Sequence, residues 1–172
     1  MKKNLFIFFI VIISIFIMPG CTSEKKETKA KETKKVTKIN KVETKKDEYI
    51  KYVQQLRKIT ESSEDLPFTI DIEYDKLDDE VRYQVIIDNP VSDITDIKAL
   101  AIHDKQTDNI FPSVGIFDDK VSLIPNEKPS GVILVGYIPY DGEMDDFNVE
   151  IKVLISYKID NEEKIVYYLT KK

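Results

Sequence analysis

The spacing of apolar residues changes character three times along the chain. Residues 5–18 form an apolar run interrupted only by Ser14 and preceded by Lys2 and Lys3. That run is shorter than the ~20 residues a helix needs to cross a bilayer core. From Thr22 to Lys46 the pattern vanishes: only Val36, Ile39 and Val42 are large and apolar, and there are no aromatics. Such a segment cannot bury enough apolar surface to offset its ordering entropy, so a disordered tether is expected over 21–46. A helical period follows. Tyr49, Tyr52, Val53, Leu56 and Ile59 fall on one stripe, with Lys51, Gln54, Gln55 and Lys58 between them. Asp47 and Glu48 suit the positive end of a helix, and residues 62–65 with Pro67 end it. The stripe is expected to pack on the domain's own sheet.

After Pro67 the period becomes two. Phe68, Ile70, Ile72 and Tyr74 alternate with Thr69, Asp71 and Glu73. A polar turn at 75–80 leads to Val81, Tyr83, Val85 and Ile87, and Asn89-Pro90 ends that run. A third strand is expected within 97–103, followed by a loop over 104–109. Residues 110–117 read as an irregular edge strand, because Pro112 lacks the N–H that a central strand needs. A short strand at 121–124 and a turn at 125–131 follow. Residues 132–138 are almost continuously apolar, as in a central strand buried on both faces. After a turn at Asp141-Gly142-Glu143 comes the longest alternation: Phe147, Val149, Ile151, Val153, Ile155 and Tyr157. Asp160-Asn161 then closes a hairpin to 164–169. Seven or eight short strands at this spacing predict a mainly β fold, an antiparallel sandwich with a short N-terminal helix. No stretch between strands is long and periodic enough for the crossover helix of a parallel sheet.

Two resemblances add to this reading. A basic start, a short apolar stretch and small residues at its end describe an export signal, and here it ends Met18-Pro19-Gly20-Cys21 before Thr22-Ser23. This resembles the lipobox of bacterial lipoproteins. The resemblance implies diacylglycerol on Cys21, cleavage after Gly20, and localisation on the outer face of the cell membrane. Residues 1–20 would then be the signal peptide, 21–46 the tether and 47–172 the folded head. The strand pattern after Pro67 is similar to the immunoglobulin-like domains of lipoproteins from low-GC Gram-positive bacteria. The residues carrying that similarity are 83–90, a strand ending at Asn-Pro, then Leu123-Ile124-Pro125, then 131–137. It implies a fold and an extracellular setting, and brings no catalytic residues with it.

Charge divides the chain at the same boundary. The tether carries 10 Lys and 4 Glu, a net of +6, and the head 14 Lys and Arg against 27 Asp and Glu, a net of −13. A head this acidic argues against nucleic acid as a partner. Two acyl chains give stable membrane attachment where one is marginal, and the tether would span about 80–90 Å if fully extended. Its lysines add attraction to anionic headgroups of about 1 kcal/mol per charge near the surface. Cys21 is the sole cysteine, so the head holds together without a disulfide.

Candidate chemistry is sparse. His103 is the one imidazole, followed by Asp104, and it reads as a strand-end residue beside a loop. With Cys21 lipidated, no Cys/His zinc site can form. Carboxylates cluster at Asp75, Asp78, Asp79 and Glu80, at Asp118 and Asp119, and at Asp141, Glu143, Asp145 and Asp146. None has the twelve-residue spacing of an EF-hand, and they read as solvated turns. Paired carboxylates also serve glycosidases, but the chain has no Trp for a sugar-binding cleft. No glycine-rich phosphate loop is present. The expectation is a non-enzymatic surface lipoprotein with no metal or cofactor. It would be a binding or accessory module for a surface protein or wall component, with an edge strand such as 110–117 open to a partner strand. The alternatives are a self-associating structural lipoprotein and, more distantly, a wall hydrolase; oligomeric state is not legible.

Overall fold

The computed structural model describes residues 42–105, 110–127 and 131–172. The expected signal peptide, with Gly20 and Cys21, and the expected tether up to residue 41 lie outside the described residues. Helix α1 occupies residues 42–56. It is followed by eight strands: β1 Thr69–Lys76, β2 Glu80–Asp88, β3 Ile94–His103, β4 Ser113–Val114, β5 Val121–Leu123, β6 Val132–Pro139, β7 Glu150–Ile159 and β8 Glu162–Lys171.

The strands form two antiparallel sheets. One has the order β1-β2-β6; the other runs β4-β3-β7-β8, with β5 also on the free side of β3. This is the immunoglobulin-like sandwich the sequence predicts. Strands β1, β2 and β6 stand where A, B and E stand in that fold, and β3, β7 and β8 where C, F and G stand.

Burial explains the order. The inward faces of both sheets meet in one core, where Val81, Tyr83, Val85 and Ile87 of β2 oppose Ala99 and Ala101 of β3 and Val153 and Ile155 of β7. The other face of the β3–β7 sheet is covered as well. Tyr52 and Leu56 of α1 pack on Leu100, Ile102, Ile116 and Leu154. A sheet covered on both faces needs apolar residues in both phases, which is why 99–102 and 153–155 lack alternation.

Three expectations are corrected. The helix begins by residue 42, so the last five residues assigned to the tether are helical. Tertiary contacts fix this end of the helix: Lys45 Nζ donates to Phe117 O at 2.8 Å, and the Glu48 carboxylate in the next turn pairs with Lys98 on β3. Residues 110–117 contribute only Ser113–Val114 as strand, against Ala99 and Leu100. Third, residues 132–138 are not central. Strand β6 is bonded to β2 alone, and its residues alternate between buried and exposed. The central strands are β2, β3 and β7.

Local chemistry fits the turns. Asp160 and Asn161 both have positive φ, as a type I′ hairpin turn demands. Asp96, with φ of 55°, is the extra residue of a bulge in β3. Its carboxylate accepts from Lys120 at 3.0 Å and Lys158 at 2.9 Å, and those bonds hold it below the usual carboxylate range. Past the helix, Ser62 Oγ accepts from Leu169 N at 2.9 Å and Ser63 Oγ from Tyr167 N at 3.0 Å. This serine pair caps the outer edge of β8, which would otherwise present unpaired amides.

Candidate functional site

A cleft of about 610 Å³ opens where α1 crosses the end of β3. The helix side supplies Tyr49, Val53 and Arg57; the end of β3 supplies Ile102, His103, Asp104 and Lys105; β7 supplies Glu150 and Lys152. Ile110 and Phe111 form the far wall. Tyr49 pins that wall: its hydroxyl accepts from Phe111 N at 2.8 Å, and its ring meets Phe117 at 5.4 Å.

His103 closes β3, as the sequence suggested, and is buried. Parity puts it on the face toward the other sheet. Its ring sits edge-on between Tyr83, at 5.8 Å, and Phe111, at 5.2 Å. Its Nδ1 has no hydrogen-bond partner among the described residues, and neither does the neighbouring Tyr83 hydroxyl. Burial pushes the imidazole below its ordinary value, outweighing the Lys105 backbone and the Asp104 carboxylate that favour its charged form. Burial likewise pushes the Tyr83 phenol far up. Two buried polar atoms in adjoining rings are unusual, because each costs about 1–3 kcal/mol when unsatisfied.

The carboxylates of the cleft are engaged. Asp104 Oδ1 accepts from Glu150 N at 3.0 Å, which fastens the end of β3 to the start of β7. Glu150 lies between Lys152 and Lys171, each at 3.1 Å, and hydrogen bonds from these lysines lower its pKa. Lys152 also donates to Ile59 O at 2.6 Å, anchoring the end of the helix. Arg57 and Lys105, by contrast, have no carboxylate partner among the described residues.

The other candidates are not gathered here. Asp75 pairs with Arg82 at 2.6 Å, and Asp118 Oδ1 accepts from Gly115 N at 2.7 Å. Among the described residues no three His, Cys, Asp or Glu side chains are arranged to hold a metal ion. Arg57, Lys105 and Phe111 were missed in the sequence because no spacing links them; only the fold brings positions 57, 105 and 111 together.

The low His103 pKa has a measurable consequence. The unfolded chain protonates its imidazole near 6.5 and the folded chain at a lower pH, so the unfolded state binds more protons in between. This contribution to stability is intact above pH 6.5 and is lost as pH falls through the lower native value. Thermal unfolding should therefore show a midpoint that declines from pH 7 towards pH 5.5. His103→Phe should flatten that decline, since a phenyl ring fits the same slot without titrating. An unchanged slope in the variant would show that His103 is not the titrating group.

No protein-family description and no curated protein matches this chain. Among solved structures, a protein from Archaeoglobus fulgidus is similar over 60% of this chain and 92% of its own, with 10% identity and a TM-score of 0.31. At that score the likeness carries no argument about this chain.

Proposed function

We propose that this protein is a membrane-anchored surface lipoprotein whose head is a non-enzymatic binding module, with the α1–β3 cleft as its binding site. Diacylglycerol on Cys21 would hold it to the outer face of the membrane, and the Lys/Thr/Glu-rich segment would hold the head off that surface. The observation that carries the binding reading is electrostatic. In a head of net charge −13, Arg57 and Lys105 stand at one cleft with no carboxylate partner among the described residues. Beside them lies an apolar wall of Val53, Ile110 and Phe111. That combination suits a ligand with an anionic end and an apolar body, such as the carboxylate terminus of a surface peptide. Arg is well shaped to hold a carboxylate through two parallel bonds.

The chemistry of the cleft favours binding over hydrolysis. Its described lining contains no Ser, Thr or Cys nucleophile. Glu150 is held ionised by two lysines and so makes a poor general acid.

The test uses the full chain in cells, with a photoreactive residue in place of Ile110 at the cleft's lip. The wild type should stay with the membrane, show a diacylglycerol mass on its N-terminal cysteine, and crosslink reproducibly to one surface component. Cys21→Ala should lose both the lipid mass and the membrane association. Arg57→Glu should cut the crosslink at least tenfold while leaving anchoring intact. An unlipidated wild type would overturn the anchor, and an unchanged crosslink in Arg57→Glu would overturn the cleft.

A further inference from the structure

The four sheet edges of this sandwich are protected unequally. The outer edge of β8 is capped by Ser62 and Ser63. Strands β4 and β5 are only two and three residues long. Strand β1 carries Asp71, Glu73 and Asp75 on its outer face, and such charges discourage strand addition. Among the described residues, strand β6 has none of these devices. Its eight residues carry no charge, and its outer face shows Ile133 at 50%, Val135 at 40% and Tyr137 at 44% exposure. A four-stranded A-B-E-D sheet would place strand D on that side. Here the sheet stops at β6, and the described residues between β5 and β6 contain no strand.

The direction of the free backbone groups follows from the ladder. Tyr140 N donates to Asp79 O, continuing the register in which Ile138 faces Val81. Bonding partners recur at every second residue, so the even-numbered residues of β6 point their amides and carbonyls at β2. Those of Ile133, Val135 and Tyr137 therefore point away from β2, and their side chains lie on the outer face.

We propose that β6 pairs antiparallel with β6 of a second copy, about a two-fold axis at Val135, joining two three-stranded sheets into one. The pattern is self-complementary about that axis. Val135 meets its own equivalent and Ile133 meets Tyr137, a β-branched residue against an aromatic, which is a favourable cross-strand pair. Each such pair exchanges both N–H···O=C bonds. Charge permits this occupant at β6 in particular: two heads of net −13 repel elsewhere, but the uncharged β6 strand sets no like charges against each other at the seam. The second copy occupies the place of the missing strand D. This interface is independent of what the cleft binds.

The test is made on the full chain in bacterial membranes. Val135→Cys puts two thiols opposite one another at a Cα separation near 5.5 Å, within the range of a disulfide. Oxidation with copper–phenanthroline should convert most of it to a disulfide-linked dimer. Asp71→Cys, on the outer face of the opposite edge, and the wild type, whose sole cysteine is Cys21, should give only background. Val135→Lys places two cations face to face at an exposed site. In detergent solution it should be monomeric by light scattering, with an unchanged far-UV circular dichroism spectrum, where the wild type is dimeric. A Val135→Cys dimer band no stronger than that of Asp71→Cys, or a wild type that stays monomeric at 100 μM, would overturn the proposal.

Discussion

Gly115→Ala should lower stability by about 3 kcal/mol or more. Gly115 follows β4 with φ of 74°, a region where a side chain is strained, and a Cβ there would lie 2.1 Å from Ile97 O. That oxygen belongs to the backbone of β3 beside the Asp96 bulge, so it cannot swing aside as a flexible side chain would. Relief requires β4 to peel off β3, which also displaces Ile116 from the cluster beneath the helix. Chemical denaturation monitored by far-UV circular dichroism measures the loss. A change below about 1 kcal/mol would mean that the chain at 113–118 can be rebuilt at little expense.

Leu56→Ala is expected to cost about 3 kcal/mol, within the usual span for a fully buried leucine. It should also weaken ligand capture far more than a surface change would. Leu56 is the central contact of α1 with Leu100, Ile102 and Leu154. Tyr49 and Val53, two walls of the cleft, are carried by this helix. The helix should therefore become cleavable by protease over 42–59 at temperatures where the sandwich remains folded. If proteolysis begins only with global unfolding, helix and sandwich form one cooperative unit instead.

Much of the fold was legible because it rests on local rules. Asp160-Asn161 announces a hairpin through two residues that tolerate positive φ, and the stripe from Tyr49 to Leu56 announces a helix with one apolar face. The failures share a physical cause. An apolar run such as 132–138 reads as doubly buried, yet β6 leaves Ile133, Val135 and Tyr137 in contact with solvent. Composition cannot separate a strand covered by its own fold from one covered by another molecule. Residues 42–46 were misjudged for the opposite reason: their composition is that of a solvated tether, while the helix they open is held by Lys45 on Phe117 and Glu48 on Lys98, fifty or more residues away. The cleft was least legible of all. His103 stood out by being unique, but Arg57, Lys105 and Phe111 become a site only when β3 and the helix are brought together.

The two tight hairpins have a consequence for how quickly this protein becomes itself. β1 meets β2 and β7 meets β8 across short turns, and hairpins of this kind form in about 1–10 μs. The long pairings in the two main sheets join segments far apart in sequence: β2 waits for β6, and β3, which meets only the short β4 and β5 nearer by, waits for β7 some fifty residues later. Closing those loops sets the pace, and sandwiches dominated by such pairings fold in milliseconds to seconds. Because β7 and β8 are synthesised last, β3 has only the short strands β4 and β5 as partners until the chain is nearly complete. The chain therefore reaches its native topology only after its final strands are available, and until then the apolar inner face of β3 lacks its main partner.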